Sequence, residues 1–125
     1  VRYGRIAVQA NIELSLKGVG REVLKTSGLL RSKAEPLSRI VSEECLHLNV
    51  VTPSVTGNAP VLCWIHGGAF VLGSSSDTLY NGLGITRNEQ VVLVSINYRL
   101  GCFGFLDVPG SDPNCGCWDQ LQALR

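Results

Sequence analysis

Two nearly continuous apolar runs dominate the pattern of this chain: Val61-Leu62-Cys63-Trp64-Ile65 and Val91-Val92-Leu93-Val94-Ser95-Ile96. Both are rich in β-branched residues, and neither alternates with polar ones. Strands covered on both faces read this way, which is the mark of a parallel or mixed sheet inside an α/β protein. The 25 residues between the runs, 66 to 90, are enough for a crossover connection containing a short helix. A further strand is predicted where Leu46, Leu48 and Val50 alternate with His47 and Asn49; it stops at Thr52-Pro53 and gives way to a polar loop over 54–58.

The flanks are less patterned. Ile12, Leu14 and Leu16 alternate with Asn11, Glu13, Ser15 and Lys17, which predicts a half-exposed strand ending at Gly18-Val19-Gly20. Residues 21–40 are weakly periodic, with a short helix expected before Gly28 and a breaker at Pro36, and no chemistry attaches to them. At the other end Trp118, Leu121 and Leu124 share one helical stripe that runs to the last residue without a capping glycine or proline. The chain starts at Val1 and contains no methionine, so the expectation is a processed or partial chain.

Hydrophobic residues make up 45% of the 125, which suits a packed domain rather than a disordered tail. Eleven Lys and Arg against ten Asp and Glu leave no basic excess, so no nucleic-acid partner is expected. The longest apolar run, around Val91 to Val94, falls far short of the roughly 18 residues of a membrane span. No signal-peptide pattern opens the chain, and localisation stays unassigned. Five cysteines, Cys45, Cys63, Cys102, Cys115 and Cys117, are an odd number, so at least one lies outside any intrachain disulfide. They include no C-x-x-C pair, and Cys115-x-Cys117 would need distant partners to hold a metal.

The strongest local feature is a buried strand running straight into His66-Gly67-Gly68-Ala69-Phe70. Glycines at a strand's carboxyl end permit unusual backbone angles and let N–H groups face a ligand, as an anion or oxyanion site requires. A tight turn alone would use the same glycines. A phosphate loop is the competing chemistry, since Gly68 and Gly73 have the glycine separation of G-x-x-x-x-G-K-[ST]; Ser74 stands where that motif needs lysine, so nucleotide binding is not supported. Nor is there a G-x-G-x-x-G for a dinucleotide.

Ser42-Glu43-Glu44-Cys45-Leu46-His47-Leu48-Asn49-Val50 resembles the E-[DE]-C-L-x-L-N signature of type-B carboxylesterases, and Val61 to Gly73 resembles that family's W-I-H-G-G-[GA]-F segment. Asn97-Tyr98-Arg99-Leu100-Gly101 with Phe103-Gly104-Phe105-Leu106 is similar to its next strand exit, and Asn114 to Leu124 to its G-N-x-G-x-x-D-Q-x-x-A-L helix start. The four motifs stand in the family's order and cover roughly residues 42–125, leaving 1–41 as a poorly matched segment. The resemblance implies the N-terminal portion of the central mixed sheet of an α/β-hydrolase fold, incomplete as a domain.

It further implies a serine esterase whose full-length form acts on a small-molecule carboxylic ester, with no metal or organic cofactor. In such enzymes the serine sits on a G-x-S-x-G elbow, followed by an acid and a histidine. No G-x-S-x-G occurs in these residues, so the nucleophile and base are absent and the chain by itself is expected to be inactive. What the resemblance leaves is the oxyanion loop, whose backbone N–H donors fall on Gly68 and Ala69. His47 lies in a strand pattern, and His66 resembles a loop-shaping residue at a position the family also fills with aromatics. Ser74, Ser75 and Ser76 read as loop hydroxyls with no elbow or base nearby in sequence.

Arg99 and Asp119 resemble positions that form an ion pair in the family, and Glu43 resembles another ion-pair residue whose arginine is not identifiable upstream. Cys45 lacks its expected disulfide partner, and Pro113 replaces the first glycine of the helix-start motif. Relatives without catalytic residues serve as binding or adhesion modules, which is the alternative function. An isolated piece of this kind is expected to expose strand edges and an apolar sheet face.

Overall fold

The most apolar run of the sequence becomes the most enclosed strand. In the computed structural model, which describes Ala7, residues 41–77, Tyr80 and residues 82–125, β1 (Leu48–Val51), β2 (Val61–Ile65) and β3 (Val92–Ile96) form one sheet in the order β1-β3-β2. β3 is central, antiparallel to β1 and parallel to β2, so the sheet is mixed. The connection from β2 to β3 carries a short helix, α1 (Leu83–Glu89), as a parallel pair requires. After β3 come α2 (Gly101–Phe105) and α3 (Cys115–Ala123). The strand expected over Ile12 to Leu16 and the helix before Gly28 lie outside the described residues.

Register divides the sheet into two unlike faces. Asn49, Ser95 and Trp64 are cross-strand neighbours on one side, with Val51, Leu93 and Leu62 next along. The crossover covers that side: Ser75 bonds to Asn49, the Tyr80 ring lies 5.0 Å from Trp64, and Gly82 packs onto Leu93. The other side carries Leu48, Val50, Val61, Cys63, Ile65, Val92, Val94 and Ile96. Leu48, Val50, Val61 and Ile65 are exposed there.

One sequence expectation is corrected by this arrangement. β2 reads as doubly covered, yet Val61, Leu62, Trp64 and Ile65 are all exposed, because β2 is an edge strand and its second face is open. In β1 the apolar Leu48 and Val50 face the open side while the polar Asn49 is drawn inward by hydrogen bonds to Ser75 and Ser95. A small separate core forms beyond the sheet, where Ala7, Cys45, Tyr98 and Leu100 are buried and Phe105 packs against them.

The contrast between the central strand and the edge strand has a measurable consequence. Ile96→Ala removes a side chain only 1% exposed and is expected to cost about 2–5 kcal/mol. Val61→Lys, at a position 66% exposed, is expected to change stability by less than about 0.5 kcal/mol. Urea titration of the two variants against the parent chain checks both values.

Candidate functional site

At the carboxyl end of β2 the chain turns away from the sheet through His66. Its imidazole is buried, stacked on the Tyr98 ring at a centroid distance of 4.7 Å and an interplanar angle of 18°. The Tyr98 hydroxyl donates to the His66 carbonyl at 3.2 Å, and His66 Nδ1 lies 2.9 Å from the Gly67 carbonyl oxygen. Burial pushes the His66 pKa below its ordinary value of 6.5, against the opposing pull of the Gly67 carbonyl and the Asp77 charge.

The next residues hold an uncommon backbone. Gly68 has φ +127°, Ala69 +53° and Phe70 +63°. L-residues disfavour this region by about 1–2 kcal/mol each, so the loop needs outside support. Phe70 supplies part of it: its carbonyl accepts the Gly101 N–H at 2.8 Å, and its ring sits 5.0 Å from Phe105 and 6.5 Å from Tyr98. Gly68 is required twice over, by its φ and because a Cβ there would overlap the Leu72 carbonyl. A Cβ on Gly73 would likewise stand 2.5 Å from His66 Nδ1.

This backbone leaves donors open. The N–H groups of Gly68 and Ala69 make no hydrogen bond among the described residues. The Gly68 carbonyl, by contrast, accepts the N–H groups of Val71 at 3.0 Å and Leu72 at 3.1 Å. Carbonyl and N–H point opposite ways across a trans peptide, so the Ala69 N–H is aimed away from that turn. Adjacent, unengaged N–H groups on a left-handed backbone can receive an anionic oxygen.

The serines that follow are tied into the loop. Ser75 is buried, donates its N–H to Asn97 Oδ1 at 2.9 Å, and accepts at Oγ from Asn49 Nδ2 at 3.1 Å. Ser74 and Ser76 share a hydroxyl contact of 2.6 Å. Among the described residues their side-chain hydrogen bonds go to one another, to loop N–H groups and to Asn49, and none to an imidazole. His47 is exposed beside β1. Asn49 and Asn97, which anchor the loop to the sheet, had no role in the sequence reading. The signal available was their place beside buried strand residues, where a polar side chain must find a partner.

Arg99 and Asp119 meet on the far side of Tyr98. The guanidinium donates from Nε to Oδ2 at 2.8 Å and from Nη2 to Oδ1 at 2.7 Å, and the Arg99 backbone N–H adds a bond to Oδ2 at 3.0 Å. This bidentate contact fastens α3 to the exit of β3, and the Asp119 carboxylate holds the Arg99 pKa above its ordinary range. Cys45, buried nearby, has its thiol pKa raised by burial and then by the Asp119 charge. All five cysteines are free thiols. A cavity of about 330 Å³ lies against Glu43, Cys45, Arg99 and Phe103 and does not touch Gly68 or Ala69. Among the described residues no three His, Cys, Asp or Glu side chains converge to hold a metal, and no helix is long and apolar enough to cross a membrane.

Two outcomes follow from the electrostatics. A histidine held neutral on folding takes its proton more readily in the unfolded chain, so its contribution to stability is complete above about pH 6.5 and falls as the pH drops below that, toward the lower folded value. Thermal melts from pH 8 to 5 are expected to show this loss, and His66→Gln is expected to flatten it. Arg99→Ala leaves Asp119 buried without its counter-ion; the expected cost is about 2–3 kcal/mol, below the roughly 3–5 of a fully buried pair, because the guanidinium is 37% exposed. Asp119→Asn, which buries no charge, is expected to cost less in the same denaturation assay.

Comparison with known proteins agrees with the motifs. The model of the carboxylesterase family matches residues 17–125. Acetylcholinesterase of Bungarus fasciatus is 47% identical over 92 residues, covering 70% of this chain and 15% of that protein. Para-nitrobenzyl esterase of Bacillus subtilis (strain 168) is 45% identical over 89 residues, 67% of this chain and 18% of the relative. Carboxylesterase 1D of Mus musculus is 43% identical over 117 residues, 89% of this chain and 20% of the relative. The chain thus spans between 15% and 20% of the length of these relatives. With the family model matching most of its residues, this chain belongs to the carboxylesterase family.

Proposed function

We propose that this chain supplies the oxyanion-accepting loop of a serine carboxylic-ester hydrolase. The Gly68 and Ala69 N–H groups receive the ester carbonyl oxygen as it becomes tetrahedral. The observation that carries this reading is the pair of adjacent N–H groups at the carboxyl end of β2, unengaged among the described residues. Family membership and the esterases among the relatives support it. On this reading the three strands belong to a larger mixed sheet of the α/β-hydrolase fold, and Arg99 with Asp119 is a structural pair rather than part of the chemistry.

In the proposed reaction a serine hydroxyl attacks the carbonyl carbon of a small carboxylic ester while a histidine takes its proton. Negative charge then builds on the carbonyl oxygen, and donors already aimed at it stabilise the transition state more than the ground state. Neither the serine nor the base comes from the residues present. No G-x-S-x-G occurs in the sequence, and the His66 Nε2 is buried. The chemistry asks for no metal or organic cofactor.

The test is kinetic, on the protein translated across both ends of this segment, with p-nitrophenyl butyrate as substrate. The 125-residue chain alone is expected to give no turnover above buffer. Gly68→Ala, which forces the loop away from Leu72, is expected to lower kcat by about 10²–10³-fold with little change in KM. An unchanged kcat would remove the oxyanion role. A translated protein with no G-x-S-x-G would instead favour a non-catalytic, cholinesterase-like binding or adhesion module.

A further inference from the structure

We propose that His66 is the positioning residue for the Gly68 donor: its Nδ1–H holds the Gly67 carbonyl inward and thereby turns the Gly68 N–H outward. The inference rests on the reading of Gly68 as an oxyanion donor and names what aims it.

The argument begins with one peptide plane. The Gly67 carbonyl and the Gly68 N–H belong to the same trans unit and point in opposite directions. The carbonyl oxygen lies 2.9 Å from His66 Nδ1 and also crowds the space beside Gly73, both toward the interior. The N–H of the same plane therefore faces the exposed side of the loop, next to the exposed Ala69. Glycine on both sides of the plane offers no side chain to fix its rotation, so the carbonyl's partner must do so.

The tautomer follows from the partners. A carbonyl only accepts, so Nδ1 must carry the proton for the 2.9 Å contact to be a hydrogen bond. That leaves Nε2 as a bare lone pair, and Nε2 is buried with no partner among the described residues. The opposite tautomer would set two lone pairs against each other at Nδ1 and bury an unsatisfied N–H at Nε2, which is the costlier arrangement. The ring itself is held by the Tyr98 stack on one side and the close approach of Gly73. A hydrogen bond to the carbonyl also polarises the peptide, which strengthens its N–H as a donor.

The Ala69 donor has a different support. Its peptide is turned by Val71 and Leu72, which both donate to the Gly68 carbonyl. His66 therefore acts on one of the two N–H groups and not the other. A general loosening of the loop would move both.

The experiment is nuclear magnetic resonance on the ¹⁵N-labelled protein translated across both ends of this segment at pH 7.5. A long-range ¹H–¹⁵N spectrum is expected to show His66 protonated at Nδ1 and bare at Nε2; the reverse tautomer, or a ring protonated at both nitrogens, overturns the proposal without any variant. His66→Phe keeps an aromatic ring against Tyr98 and removes the donor. In it the Gly68 amide peak is expected to shift or broaden while the Ala69, Leu93 and Ile96 amides stay in place. His66→Asn sets an amide N–H where Nδ1 stood and is expected to return the Gly68 peak toward its original position. A Gly68 peak unmoved in a folded His66→Phe chain, or one that His66→Asn fails to restore, overturns the proposal. These spectra read the orientation of a peptide and not hydrolysis. Failure of the oxyanion reading in the kinetic test would leave them unchanged, and failure here would leave that reading standing.

Discussion

Tyr98 lies against the His66 ring and donates its hydroxyl to the His66 carbonyl, so the exit of the central strand and the start of the glycine loop form one body. The residues on either side of Tyr98 extend the attachment. Asn97 receives the Ser75 N–H and fixes the far end of the loop, and Gly101 donates to the Phe70 carbonyl in its middle. Arg99, pointing away, grips Asp119 and brings α3 to the same place. Asn97, Tyr98, Arg99 and Gly101 thus reach both ends of the loop, its middle and the helix behind it.

That attachment is what permits an unfavourable backbone. Ala69 and Phe70 both sit at positive φ, at a cost of about 1–2 kcal/mol each. The cost is offset by the aromatic contacts of Phe70 with Tyr98 and Phe105 and by the hydrogen bonds at the Gly68 and Phe70 carbonyls. Relaxing the loop would turn the open N–H groups elsewhere. The strain and the candidate chemistry therefore occupy the same residues, as strained backbone at a binding site often does.

β2 and β3 were legible because unbroken β-branched runs fit strands and little else at that length, and the glycines after β2 marked where the chain must leave the sheet. α2 was not, since Gly101-Cys102-Phe103-Gly104-Phe105 has two poor helix formers in five residues and is held by packing rather than propensity. The alternation in β1 showed which side chains share a face but not which face is covered. The left-handed angles at Ala69 and Phe70 carry no sequence signal, because only glycine announces positive φ. Arg99 and Asp119 were paired through the family resemblance, for nothing in a separation of twenty residues pairs two charges. The family match begins at residue 17, ahead of the first readable motif.

The central claim is that the Gly68 and Ala69 N–H groups donate to the oxygen of a tetrahedral intermediate. The most direct measurement is a crystal structure of the protein translated across both ends of this segment, inactivated with an alkyl phosphonate that leaves a tetrahedral adduct on the nucleophilic serine. The account predicts the phosphonyl oxygen about 2.7–3.1 Å from both the Gly68 and the Ala69 nitrogens. A phosphonyl oxygen held by other donors, with both N–H groups turned to solvent, would contradict it.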